Sequence, residues 1–229
     1  MALDVPTREE AVQIVEELGD LVTFYKVGLE LLMSGGMDAV LRSLVREKRV
    51  FVDLKLPNDI PETVRRVVSL AAAMGSRFLT LSHSASRDTI EAALRGRGDH
   101  PGPELLLVPV LSSLDPAEFA RQTGQDPEGF QGELLRRADE GKNAGVDGFV
   151  VSGREIALLR AHFPNAPLVS PGIRPSGASR DDHKRSSTPA EAIHWGADYI
   201  VVGRPIRDAR DRRDAARRIV DEIATAHAA

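Results

Sequence analysis

Asp53 and Lys55 stand two residues apart inside the run Phe51-Val52-Asp53-Leu54-Lys55-Leu56. In a β-strand successive side chains alternate, so Asp53 and Lys55 share one face while Val52 and Leu54 take the other. The apolar face must pack against helices, which turns the acid and the base toward the interior. Ionised groups there must be paired, because burying a lone charge is very costly. Taken alone, the pair reads equally well as a structural ion pair that satisfies itself. Lys26, bracketed by apolar residues in Phe24-Tyr25-Lys26-Val27-Gly28, and Asp4, in Ala2-Leu3-Asp4-Val5, end two further short apolar runs. Adjacent strands would deliver Asp4, Lys26, Asp53 and Lys55 to one mouth with alternating sign. An ammonium held rigid between carboxylates can meet negative charge developing on a substrate and can supply a proton.

A second group of residues suits an anion. Gly203-Arg204 and Gly172-Ile173-Arg174 each follow an apolar run. Glycine lets backbone N–H groups approach phosphate oxygens, and arginine adds a planar, permanently charged fork. A single Gly-Arg pair is more often a turn, but two at neighbouring strand ends point to a phosphate. His83 reads as a core or loop histidine, and His100, His162 and His194 have no ligand spacing, so no metal is inferred.

These groups need a scaffold that gathers strand ends. Short apolar runs at Ala2–Val5, Phe24–Val27, Val50–Leu54, Phe78–Ser82, Leu105–Leu111, Gly148–Ser152, Pro167–Ser170 and Tyr199–Val202 are separated by stretches of helical period, among them Arg8–Leu18, Pro61–Met74, Gly132–Ala144 and Arg154–Phe163. Eight strands, each leading into a helix, predict a closed (β/α)8 TIM barrel formed as one domain over residues 1–229. Its chemistry would sit on the C-terminal face, with phosphate at the loops after the seventh and eighth strands. Thr7 with Glu10, and Thr188-Pro189 with Glu191, are capping-box patterns. Residues 172–188 have no apolar period and read as a long mobile loop, of a length that is usually functional or disordered.

Composition narrows the classes. The 229 residues are 42% hydrophobic, enough for a large core, and the net charge of −4 is spread along the chain. That leaves no footprint for nucleic acid or an anionic membrane. No apolar stretch approaches the roughly 18–20 residues of a membrane span. Cysteine is absent, which excludes disulfides and thiolate chemistry and fits a cytoplasmic location.

Asp53-Leu54-Lys55, followed by Asp59-Ile60-Pro61-Glu62-Thr63, resembles the signature of the orotidine 5′-monophosphate decarboxylase family. Ala2-Leu3-Asp4, Lys26-Val27-Gly28, Pro171-Gly172-Ile173-Arg174-Pro175 and Val202-Gly203-Arg204-Pro205 also fall in family order. The resemblance implies conversion of orotidine 5′-monophosphate to uridine 5′-monophosphate and CO2, the last step of pyrimidine nucleotide synthesis, without cofactor. It implies a homodimer in which Asp59 reaches into the partner's site. Lys55 would stabilise the C6 carbanion and protonate it, with Asp53, Asp59 and Lys26 completing the catalytic set. Substrate contacts would come from Asp4, Lys26, Thr63, Arg174, His183, Gly203 and Arg204, with Ser112 or Ser113 against the pyrimidine. Two departures stand out. Leu56, Pro57 and Asn58 put three residues between Lys55 and Asp59 where the family has two; a bulge could absorb the extra residue and leave Asp59 in reach of the neighbouring site, or Asn58 could lie nearer the expected position. His183 stands where the family commonly has glutamine. Alternative expectations are a metal-dependent sugar-phosphate decarboxylase or aldolase of the same superfamily, or a nucleotide-binding protein without turnover. Against the first, Lys26 stands where those relatives carry a metal-binding carboxylate.

Overall fold

A computed structural model describes residues 1–124, 126–175 and 186–228. Strands and helices alternate along them. α1 (Arg8–Leu18) leads to β1 (Phe24–Gly28), then α2 (Leu29–Met33) and α3 (Met37–Leu44). β2 (Arg49–Leu56), α4 (Pro61–Ala73), β3 (Phe78–Ser82), α5 (Arg87–Arg97) and β4 (Glu104–Val108) follow. After α6 (Pro116–Thr123) and α7 (Phe130–Ala144) come β5 (Gly148–Val150), α8 (Glu155–His162), β6 (Leu168–Ser170) and α9 (Pro189–His194). β7 (Tyr199–Ile200), α10 (Arg204–Arg207) and α11 (Arg212–Ala228) complete the chain. None of the helices is long and apolar enough to cross a membrane, among the described residues.

The strands pair in parallel in the order β1 to β7. The ring is closed by the N-terminal segment: Ala2 N donates to Val202 O and Leu3 N to Lys26 O, each at 2.8 Å. The expected strand Ala2–Val5 is therefore a single bridge, Ala2 to Lys26. Its ladder stops early because the Asp4 carbonyl accepts from Arg207 Nη1 at 2.7 Å instead of from a neighbouring strand. The later strands also end sooner than predicted, at Val108, Val150 and Ile200.

Alternation along each strand builds two apolar layers. Phe51, Phe78, Leu106, Val108, Val150 and Val169 fill the inside of the barrel. Phe78 meets the rings of Phe51 and Tyr199 edge-on, at 5.8 and 5.1 Å between centroids. Leu79, Leu81, Leu105, Leu107 and Phe149 face outward into the layer beneath the helices. Gly148 is forced by spacing: a Cβ there would come within 2.2 Å of the Pro167 carbonyl oxygen.

Helix starts follow the residues that favour them. Thr188 and Glu191 form a complete capping box, whereas at Thr7 only the hydroxyl half is made, accepting from Glu10 N at 3.2 Å.

Candidate active site

The C-terminal ends of the strands surround a cleft of about 440 Å³. Asp4, Lys26, Asp53 and Lys55 occupy one side, and Arg174, Gly203 and Arg204 also line it. A smaller apolar cavity, about 210 Å³, lies around Phe24, Phe51 and Tyr199 near the starts of the strands and offers no acid–base pair.

The four charges expected to converge do so. Lys26 Nζ lies 2.9 Å from Asp4 Oδ1 and 3.4 Å from Asp53 Oδ2. Lys55 Nζ donates to both oxygens of Asp53, at 2.9 and 3.0 Å. Burial opposes the charge on Lys26, but Asp53 and Asp4 outweigh it and hold the ammonium above its ordinary pKa. Burial likewise opposes ionisation of Asp53, and Lys26, Lys55 and the Thr80 hydroxyl outweigh it, holding the carboxyl below its ordinary value. Both groups therefore stay ionised across the neutral range. Lys55 is more open than the acid that holds it, its side chain 39% exposed against 13% for Asp53.

β2 does not run regularly into this site. Val52 pairs with Leu79 but Leu56 with Leu81, so the strand bulges between them. Lys55 takes φ 48°, the single non-glycine residue with positive φ among those described. Such a conformation costs on the order of 1–3 kcal/mol and persists only where neighbours hold it. Thr80 is one such neighbour. Its hydroxyl accepts from Lys55 N at 2.8 Å and donates to Asp53 Oδ1 at 2.9 Å. Sequence reasoning missed Thr80; its signal was a hydroxyl at an inward position, two residues past Phe78 in an otherwise apolar strand.

The remaining expected residues divide. Ser112 lines the cleft and Ser113 does not. Arg174 is almost fully buried after β6, and Gly203 caps α10, with Arg204 at its first position. Arg207, not anticipated from sequence, also lines the cleft while bonding Asp4 O and Asp208. Asp59 and Thr63 lie outside the cleft: the Asp59 carboxylate accepts from Ile60 N at 2.6 Å, and Thr63 is exposed in the first turn of α4. Asn58 does not replace Asp59 at the cleft; its carbonyl oxygen accepts from Thr89 Oγ1 at 2.7 Å. His183 falls outside the described residues. Among those described, no group of three His, Cys, Asp or Glu side chains is arranged to hold a metal ion. His83 follows β3, where its partly desolvated ring and the nearby Arg137 lower its pKa.

A family model described as orotidine 5′-phosphate decarboxylase / HUMPS family matches residues 1–219. The chain belongs to the orotidine 5′-phosphate decarboxylase / HUMPS family. Curated relatives agree along almost the whole length. The orotidine 5′-phosphate decarboxylase of Methylorubrum extorquens is 43% identical over 224 residues, covering 97% of this chain and 94% of that protein. That of Bradyrhizobium sp. is 44% identical over 227 residues, covering 99% and 91%. Among solved structures, the orotidine 5′-phosphate decarboxylase of Lactobacillus acidophilus superposes with a TM-score of 0.81 at 33% identity, covering 97% of this chain and 96% of that one. The ring of seven strands closed by the N-terminal segment is thus the TIM barrel of the orotidine 5′-phosphate decarboxylase / HUMPS family.

Proposed function

We propose that this chain decarboxylates orotidine 5′-monophosphate to uridine 5′-monophosphate, without a cofactor, as the last step of pyrimidine nucleotide synthesis. The observation that carries the reading is the Lys55 ammonium, held on Asp53 with its other side open to the cleft.

In the proposed reaction the bond from C6 to the carboxylate breaks, CO2 leaves, and the electron pair remains on C6. That pair lies in the plane of the pyrimidine, where the π system cannot delocalise it. Lys55 would stabilise it as it forms and then transfer a proton to C6, the neutral amine regaining its proton from solvent. Asp53 would lie beside the substrate carboxylate and repel it. At 4 Å and an effective dielectric near 20, that repulsion is roughly 4 kcal/mol. It corresponds to about a thousandfold in rate, well short of what enzymes commonly achieve. Stabilisation of the carbanion by a preorganised cation must therefore contribute more.

Arg174, Gly203 and Arg204 on the cleft wall suit the phosphate, and Ser112 suits a polar edge of the base. The proposal includes a cytoplasmic homodimer in which Asp59 enters the partner's site. Its support is the exposure of Asp59 beside exposed apolar residues, Ile60 after β2 and Leu29, Leu32 and Met33 after β1. A metal-dependent reaction is disfavoured by Lys26, whose ammonium lies within 3.4 Å of both carboxylates that a divalent cation would need.

The test is the ultraviolet change on adding orotidine 5′-monophosphate to purified protein, with and without EDTA. Turnover insensitive to chelator is expected. Lys55→Ala should abolish it while uridine 5′-monophosphate still binds; a Lys55→Ala protein that still turned over would remove Lys55 from its role.

A further inference from the structure

From Lys55 to the first residue of α4, Pro61, the chain runs through Leu56-Pro57-Asn58-Asp59-Ile60. Leu56 still pairs with β3, but Pro57 through Ile60 are exposed. This short stretch must hold its upstream neighbour, Lys55, in a left-handed conformation that a lysine does not favour. The extra residue that distinguishes the stretch from the family pattern lies within it.

Asn58 is where the stretch is fastened. Its side-chain oxygen accepts from Thr89 Oγ1 at 2.7 Å and, more weakly, from Ser86 N at 3.4 Å. Its backbone N–H faces Ser84 Oγ at 3.4 Å. A backbone N–H can only donate, so the atom facing Ser86 N must be the amide oxygen and not the nitrogen. Thr89 is fully buried in the first turn of α5. Ser86, the N-cap of α5, accepts from Thr89 N and lies 3.1 Å from Thr89 Oγ1. With its single proton given to Asn58, the Thr89 hydroxyl is left to accept from Ser86. The three groups form one directed relay, anchored in a helix that packs against α4.

We infer that Asn58 is a positioning residue: through Thr89 it ties the Lys55 turn to α5 and so sets where the Lys55 ammonium points. The inference rests on the decarboxylase reading for its kinetic consequence, though not for its structural one. Misplacement of a catalytic group by about 1 Å costs as much as a hundredfold.

Asn58→Ala is therefore expected to lower kcat for orotidine 5′-monophosphate by roughly ten- to a hundredfold, with KM and uridine 5′-monophosphate affinity little changed. Asn58→Asp, which keeps the acceptor, should restore most of the rate. Thr89→Val should reproduce the loss, and adding it to Asn58→Ala should cost nothing further. If Thr89→Val does not fold, the two Asn58 variants decide the matter, since Asn58 is exposed. Independently of substrate, hydrogen exchange in ligand-free Asn58→Ala should accelerate over residues 54–60 without a matching fall in Tm. Wild-type kcat with unchanged exchange in Asn58→Ala would overturn the inference, as would Asn58→Asp being as slow as Asn58→Ala. Should the wild-type protein fail to turn over orotidine 5′-monophosphate, the decarboxylase reading falls, and the exchange measurement still decides whether the tie exists.

Discussion

Thr80 holds two charged residues with one hydroxyl. It takes the N–H of Lys55 and gives its proton to Asp53, and it has no exposure to water. Thr80→Val keeps the shape but strands a backbone donor and removes a hydrogen bond from a carboxylate. A buried group left unsatisfied costs about 1–3 kcal/mol. Urea unfolding should show a loss of that size, with kcat falling more than affinity for product; Thr80→Ser should recover both. The charged array also sets the response to pH. Asp53 has its pKa depressed, so its contribution to stability is present above the unfolded value of about 3.9 and is lost as pH falls through the folded value. Lys26 has its pKa raised, so its contribution is complete below about 10.4 and is lost as pH rises through the folded value. Thermal unfolding should thus show no pH dependence from this pair between about pH 5 and 9. A Tm that changed steeply there in wild type and not in Asp53→Asn would contradict it. At this scale Asp4, Lys26, Asp53 and Lys55 were legible because strand alternation and the need to pair buried charges constrain them. Thr80 and Asn58 were not, because each acts through a side-chain hydrogen bond to a residue more than twenty positions away.

Among the elements, the alternation of strands with helices and the four named helical segments followed from hydrophobic period, and the ends of strands did not. The bulge in β2 has no signal in its composition: the expected strand Val50–Leu54 shows no break, yet the observed strand Arg49–Leu56 shifts its register with β3 before Leu56. What reveals it is the three-dimensional competition between the ladder and the Thr80 hydroxyl for the Lys55 N–H. Closely packed strands leave their own mark. A methyl group at Gly148 would strike the Pro167 carbonyl, and overpacking of this kind costs roughly 1–3 kcal/mol. Gly148→Ala should lower the urea midpoint accordingly; an unchanged midpoint would mean that β5 and β6 separate without cost. The loops after β6 and β7 bring Arg174 and Arg204 to one cleft. Arg204→Ala should weaken phosphorylated ligands selectively, and an equal loss for the nucleoside lacking phosphate would contradict that role.

For the whole molecule, the family and the barrel were readable from motifs spread across the sequence, whereas an interface between copies leaves little trace in a single chain. If Asp59 serves the neighbouring subunit, mixed variants should rescue one another. Lys55→Ala and Asp59→Ala proteins, each inactive alone, should form heterodimers with one intact site of two, giving about a quarter of wild-type activity after random exchange. Mixtures that stay inactive would return Asp59 to its own chain.

The seam between Ala2, Val202 and Lys26 closes the ring, and Asp4, two residues later, is the first member of the charged array. Joining the two extremes of the fold and arming the site are consequently one event. A chain whose seam has parted can keep most of its sheet and helices while Lys26 has lost a counter-charge. Rising denaturant should accordingly silence the protein before circular dichroism registers any melting.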